Sequence, residues 1–113
     1  IAEDEDGNYR FLEMSLAKTN AKLYRARNGI EAIELFQKKD LDLILMDIKM
    51  PKMDGLEATR RIRKIDEKIP IIAQTAFAME NDQKMSIEAG CNDYLSKPIR
   101  KPKLLSVIKN YIS

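Results

Sequence analysis

LDLILMDIKMPKMDG, residues 41–55, opens with an apolar run from Leu43 to Met46 and ends that run on one carboxylate, Asp47. The run is short enough for a strand and lacks the alternation of a half-exposed one. That pattern fits a strand buried on both faces, as in a parallel sheet covered by helices. Pro51 and the pair Asp54-Gly55 then break regular structure and mark a loop. An acid at the carboxyl end of a buried parallel strand stands where open α/β sheets place their ligand sites. Asp47 therefore leads the candidate functional residues.

Working outward, the chain alternates strand and helix signals. Ile1-Ala2 reads as the end of a first strand, followed by the acidic turn Glu3-Asp4-Glu5-Asp6. Tyr9, Leu12 and Leu16 recur at helical spacing, with Phe11 widening the stripe, so a helix is expected to about Lys18. Residues 21–26 read as a short second strand closed by Asn28-Gly29. A helix over about 29–39 would bury Ala32, Ile33 and Phe36. After the central strand comes a helix from about Leu56, with Ala58, Ile62 and Ile65 on one side.

Pro70 opens a fourth strand over 71–75, and a fourth helix with the poorest apolar stripe spans about Met79 to Ala89, capped by Gly90. A fifth strand covers 93–96 and is ended by Lys97-Pro98. The last helix, about 101–112, carries Leu104, Leu105, Ile108, Tyr111 and Ile112. Five strands alternating with five helices indicate a doubly wound α/β domain with a parallel sheet. Right-handed crossovers make the flavodoxin-like strand order 2-1-3-4-5 the expected one.

Composition narrows the chemistry. The 113 residues are 44% hydrophobic and 34% charged, the balance of one soluble globular domain. A net charge of +2 is too small to imply a nucleic-acid or membrane surface. The single cysteine, Cys91, forms no internal disulfide, in keeping with a cytoplasmic location. There is no histidine, which excludes Ser-His-Asp and Cys-His mechanisms and disfavours zinc. The opening Ile1-Ala2 reads as a first strand truncated at its amino end, with residues 1–113 forming one domain.

In the expected fold the carboxyl ends of four strands share one edge and gather Glu3, Asp4, Asp47, Thr75 and Lys97. Each has an ordinary structural reading alone; their joint placement points to a site. Three carboxylates within a few ångströms would repel one another, and a bound cation removes that conflict. Magnesium suits one or two carboxylates plus water and phosphate oxygens. Asp47 could then attack a phosphoryl group as a carboxylate nucleophile, with Lys97 and Thr75 around the transferring oxygens.

At these residues the sequence resembles the receiver domain of two-component response regulators. The resemblance covers essentially the whole chain, through Glu3-Asp4, MDIKMPKMDG at 46–55, QTA at 74–76 and DYLSKP at 93–98. It implies that Asp47 is the phosphoacceptor and that Asp4, Glu3, Asp47 and the backbone carbonyl of Lys49 hold Mg²⁺. Thr75 and Lys97 would meet the phosphoryl group, Tyr94 would be the switch aromatic, and the Lys97-Pro98 bond would be cis. Small Ala76 would leave a path to the phosphate. The donor would be a histidine kinase or histidine phosphotransfer domain. Phosphorylation would shift the surface of the fourth helix, fifth strand and last helix, which is also the expected place for a dimer contact.

The phrases MPKMDGLEATRRIR and AGCNDYLSKPI resemble most closely the receivers of hybrid sensor histidine kinases. A stand-alone response regulator, or the receiver of a DNA-binding regulator, is the alternative setting. Rival classes fit less well. A phosphatase of the haloacid-dehalogenase type wants a second Asp two residues after the first, where this chain has Lys49. A flavin-phosphate binder needs hydroxyls and backbone donors where this chain has the acidic loop EDEDGN. A degenerate receiver would lack site residues that are present here.

Overall fold

The computed structural model describes residues 1–76 and 80–112. Ile44–Asp47 forms β1, buried at every position. β2 is Ile71–Thr75, also buried throughout, and β3 is Asp93–Ser96. β1 pairs in parallel with β2, Ile44 beside Ile71 and Asp47 beside Gln74. β2 pairs in parallel with β3, Ile72 beside Asp93 and Thr75 beside Ser96. Five helices accompany them: α1 (Asp6–Leu16), α2 (Gly29–Lys38), α3 (Gly55–Arg63), α4 (Glu80–Ala89) and α5 (Lys101–Tyr111).

The two expected amino-terminal strands are each reduced to a single bridged position. Ala2 bridges in parallel to Ala26 on one side and to Met46 on the other. Ile1 N donates to Tyr24 O at 2.8 Å, Ala26 N to Ile1 O at 2.9 Å and Glu3 N to Ala26 O at 2.9 Å, which is the parallel pairing these two segments make. The lateral order is nevertheless Ala26, Ala2, β1, β2, β3, which is the order 2-1-3-4-5 of the doubly wound α/β fold.

Alternation along the strands divides the core in two. Ala2, Ile44, Met46, Ile71 and Ala73 meet Ala32 of α2 and Ala58 and Ile62 of α3 on one face. Leu45, Ile72 and Leu95 meet Leu12 and Leu16 of α1 and Leu104 and Val107 of α5 on the other. Each of the larger side chains, the leucines, isoleucines, valine and methionine, contributes about 1.5–3 kcal/mol of burial, and each alanine less.

Local signals set the helix starts. Asn28 and Asp54 accept from the backbone N–H groups of Glu31 and Glu57, each at 2.9 Å, and so cap α2 and α3. Gly55 N donates to Ile48 O at 2.8 Å, and a Cβ on Gly55 would collide with the carbonyl oxygen of Asp47. The start of α3 is thus fastened directly onto the end of β1.

Several stripes differ from expectation. α1 stops at Leu16 and a 3-10 turn covers Ala17–Thr19, so Lys18 lies beyond the α-helix. Phe11 is 41% exposed, and Ser15 takes the inward place instead, because i, i+3 and i+4 from Leu12 select Ser15 and Leu16. Ile65 is 58% exposed, since α3 ends at Arg63 and Ile69 supplies the next buried apolar group. In α5 the inward positions are Leu104 and Val107, while Ile112 falls outside the helix. The expected helix start at Met79 lies outside the described residues. Gly90 does follow α4 with a φ of +117°, the left-handed backbone expected of a cap. Among the described residues no helix is long and apolar enough to cross a membrane.

Candidate functional site

β1 is buried on both faces, yet its last residue carries a carboxylate that is only 4% exposed. Asp47 follows Leu45 at strand spacing, so it faces the α1/α5 side at the carboxyl edge of the sheet. Glu3 follows Ile1 on that same side and is fully buried. Lys97 comes two residues after Leu95 and reaches back across the edge. Its Nζ lies 3.0 Å from Asp47 Oδ2 and 3.3 Å from Glu3 Oε1. The other oxygen of Asp47, Oδ1, accepts from Lys49 N at 3.3 Å.

Asp4 completes the acid group from the rim. One oxygen from each of Glu3, Asp4 and Asp47 lies within 4.8 Å of the others. Glu3 is the inner member and Asp4 the solvent-exposed one. Arg25 Nε donates to Glu3 O at 3.1 Å and stacks 4.5 Å over the Tyr9 ring, which holds this acidic turn in place.

The electrostatics show excess negative charge. Burial, together with the neighbouring Asp47 carboxylate, raises the Glu3 carboxyl from 4.5 to about 7, against the pull of Lys97. Burial works to lower the Lys97 ammonium, but its hydrogen bond to Asp47 and the two carboxylate charges outweigh that and raise it. Glu3 Oε1 touches Lys97 as a charge contact only; it is buried and has no aligned hydrogen-bond donor. A buried oxygen of this kind, in an all-oxygen acid group, suits a hard divalent cation.

These groups line a cavity of about 200 Å³ together with Lys49, Thr75, Ala76 and Asp82. Thus Glu3, Asp4, Asp47, Lys49, Thr75 and Lys97 come together. Tyr94 does not line the cavity; it packs half-buried against the core on the α2/α3 side. The Lys97-Pro98 bond is cis. The larger cavity, about 440 Å³, lies at the opposite end of the sheet among Leu23, Tyr24, Leu41, Leu43 and Ile108, away from the acids.

The model of the response regulator receiver domain matches residues 1–109. The chain belongs to the response regulator receiver family. This receiver is 40% identical to the polar-differentiation response regulator DivK of Brucella anthropi, over 99% of the chain and 93% of that protein. It superposes with a TM-score of 0.91 on the receiver domain of sensor histidine kinase PA1611 from Pseudomonas aeruginosa, at 34% identity, covering 98% of this chain and 93% of that one. That structure has a magnesium ion coordinated in its active-site cleft. The receiver domain of Ssk1 from Saccharomyces cerevisiae, solved with the histidine phosphotransfer protein Ypd1, gives 0.92 at 30% identity, covering 97% and 84%.

Two residues of the cavity in this receiver escaped the sequence reading. Gln74 reads as a polar residue near a strand end, yet it is fully buried beside Asp47. Asp82 sits in the first turn of α4 and its Oδ2 accepts from Thr75 Oγ1 at 3.5 Å. The available signal was its position just inside the helix that follows Thr75 in the chain.

Proposed function

We propose that this receiver accepts a phosphoryl group on Asp47 from a histidine kinase or histidine phosphotransfer domain, in the cytoplasm, with Mg²⁺ bound by Glu3, Asp4, Asp47 and the carbonyl of Lys49. The observation that carries the reading is the Lys97 ammonium 3.0 Å from Asp47 Oδ2, in a cavity that also holds the grouped carboxylates of Glu3 and Asp4 and the Thr75 hydroxyl. The magnesium-bearing cleft of the PA1611 receiver and the Ypd1 complex of Ssk1 support metal and partner respectively.

An Asp47 carboxylate oxygen attacks the phosphorus of the phosphohistidine. The new O–P bond forms as the P–N bond breaks, and the electron pair leaves with the imidazole nitrogen. Lys97 and Thr75 stand at the cavity wall as the donors for the transferred oxygens. When bound, Mg²⁺ supplies positive charge against the negative charge that gathers there. Thr75 and Tyr94 then move inward, and the surface of α4, β3 and α5 shifts between two packings. Exposed Ala76 at the cavity wall leaves room for the donor.

The test is incubation with Mg²⁺ and acetyl phosphate, read by intact mass. One phosphate is gained by the wild type and none by Asp47→Asn; a gain that survives the substitution assigns another acceptor.

The setting of the domain has two readings. Motif wording favours a receiver within a hybrid sensor histidine kinase. The 40% identity to DivK, named as a response regulator, supports the reading as a separate regulator. The size of the native polypeptide on an immunoblot decides between them.

A further inference from the structure

Thr75 donates through a hydroxyl that has one hydrogen, and its acceptor here is a carboxylate on a different element. Asp82 belongs to the first turn of α4, is half-buried, and lines the same cavity as Asp47, Glu3 and Lys97. It is not one of the three grouped carboxylates and approaches the cavity from the Thr75 side. We propose that Asp82 is a positioning residue: it holds the Thr75 hydroxyl on α4 in the resting domain and gives it up when a phosphoryl group occupies Asp47. The proposal rests on the phosphoacceptor reading of Asp47.

The competition is decided by charge and distance. At 3.5 Å the Thr75–Asp82 bond is long, whereas a hydroxyl bonded to a fully charged oxygen settles at about 2.5–2.7 Å. A phosphoryl group carries about −1.5 to −2 charges on its outer oxygens, in place of the single charge of the Asp47 carboxylate. It offers Thr75 a stronger acceptor and at the same time repels Asp82. One hydrogen cannot serve both acceptors, so the two arrangements exclude each other.

Releasing Asp82 acts on the whole helix. The Asp82 carbonyl accepts from the fully buried Ser86 hydroxyl at 2.9 Å, which ties the first turn to the next. Among the described side chains of α4 only Ser86 and Ala89 are buried, while Met85 and Ile87 are 40% and 51% exposed. So little apolar anchorage makes α4 inexpensive to displace. A first-turn acid is also favoured by the helix dipole alone, but that effect does not require a bond to Thr75.

The experiment uses Asp82→Asn, Asp82→Ala, Thr75→Val and the doubles, with beryllium fluoride and Mg²⁺ as the phosphoryl mimic. Wild-type binding that is lost in Asp47→Asn is established first; its absence removes the phosphoacceptor reading and this proposal with it. The expected result is that Asp82→Ala tightens beryllium fluoride binding about five-fold, within the usual range of coupling between sites, and does so far less in the Thr75→Val background. Asp82→Asn shifts the Thr75 methyl resonance in the resting protein, an arm that needs no phosphoryl mimic. Unchanged or weaker binding, an equal gain in both backgrounds, or an unmoved Thr75 resonance overturns the proposal. Thermal melts of the variants separate a general loss of α4 from loss of this one contact.

Discussion

Lys97 Nζ donates to Asp47 Oδ2 at 3.0 Å across a separation of 50 residues. It is the short contact of the acid group, and its removal leaves Asp47 and Glu3 facing each other without a cation. In Lys97→Met, metal-free stability at neutral pH falls by about 1–2 kcal/mol, less than for a fully buried pair because the lysine is 21% exposed. Mg²⁺ binding tightens, since the competing ammonium is gone. Urea denaturation with and without Mg²⁺ checks both.

Glu3 gives the pH dependence. Its carboxyl is raised from 4.5 to about 7, so the folded domain binds this proton more tightly than the unfolded chain. The associated stability is fully present below the unfolded value and is lost as pH rises through about 7. Between about pH 5 and about pH 8 the metal-free wild type therefore loses more stability than Glu3→Gln. Mg²⁺ binding below about pH 7 releases a proton, visible in calorimetry as a dependence on buffer ionisation enthalpy. Equal pH slopes for the two proteins would contradict the assignment.

Gly55→Ala attacks the joint between β1 and α3. The added methyl meets the carbonyl oxygen of Asp47, a backbone atom that cannot swing aside. Stability falls by about 2–4 kcal/mol, and phosphorylation by acetyl phosphate slows because Asp47 itself is displaced. Denaturation midpoint and mass gain with time are the measurements.

Arg63 holds three elements together. Its guanidinium donates to Gly90 O at 2.8 Å, Asn92 Oδ1 at 2.7 Å and Asp66 O at 3.2 Å. Arg63→Met costs about 1–2 kcal/mol by removing the donors to the Gly90 and Asp66 carbonyls, whereas Asn92 Oδ1 keeps its bond from Ile71 N at 2.9 Å, and Arg63→Lys does not restore it because a point charge cannot serve a forked set. Amide exchange speeds first around residues 90–92.

The strands at Ile44–Asp47, Ile71–Thr75 and Asp93–Ser96 were legible because burial on both faces leaves an apolar run in the sequence. The pairing of 21–26 was not, because local pattern says nothing about which segment lies alongside. Glu3, Asp4, Asp47, Thr75 and Lys97 were legible as a set, since each sits at the edge where its strand ends. Gln74 was read as part of the strand over 71–75 and of the QTA phrase, but its full burial beside Asp47 was hidden, because only the packed helices produce it. Asp82 was hidden because it meets Thr75 from a different element, a contact that no periodicity encodes.

The two-sided core gives the sheet the character of a partition wall. Glu3, Asp47 and Lys97 stand with the α1/α5 layer, whereas Tyr94 and the neighbours of Thr75 on β2, Ile71 and Ala73, stand with the opposite one. On the proposed function, a phosphoryl group received in one room is announced in the next, across the edge where Thr75 meets the cavity. Substitutions at Tyr94, which does not line the cavity, bear on the announcement alone, whereas Thr75 belongs to both rooms.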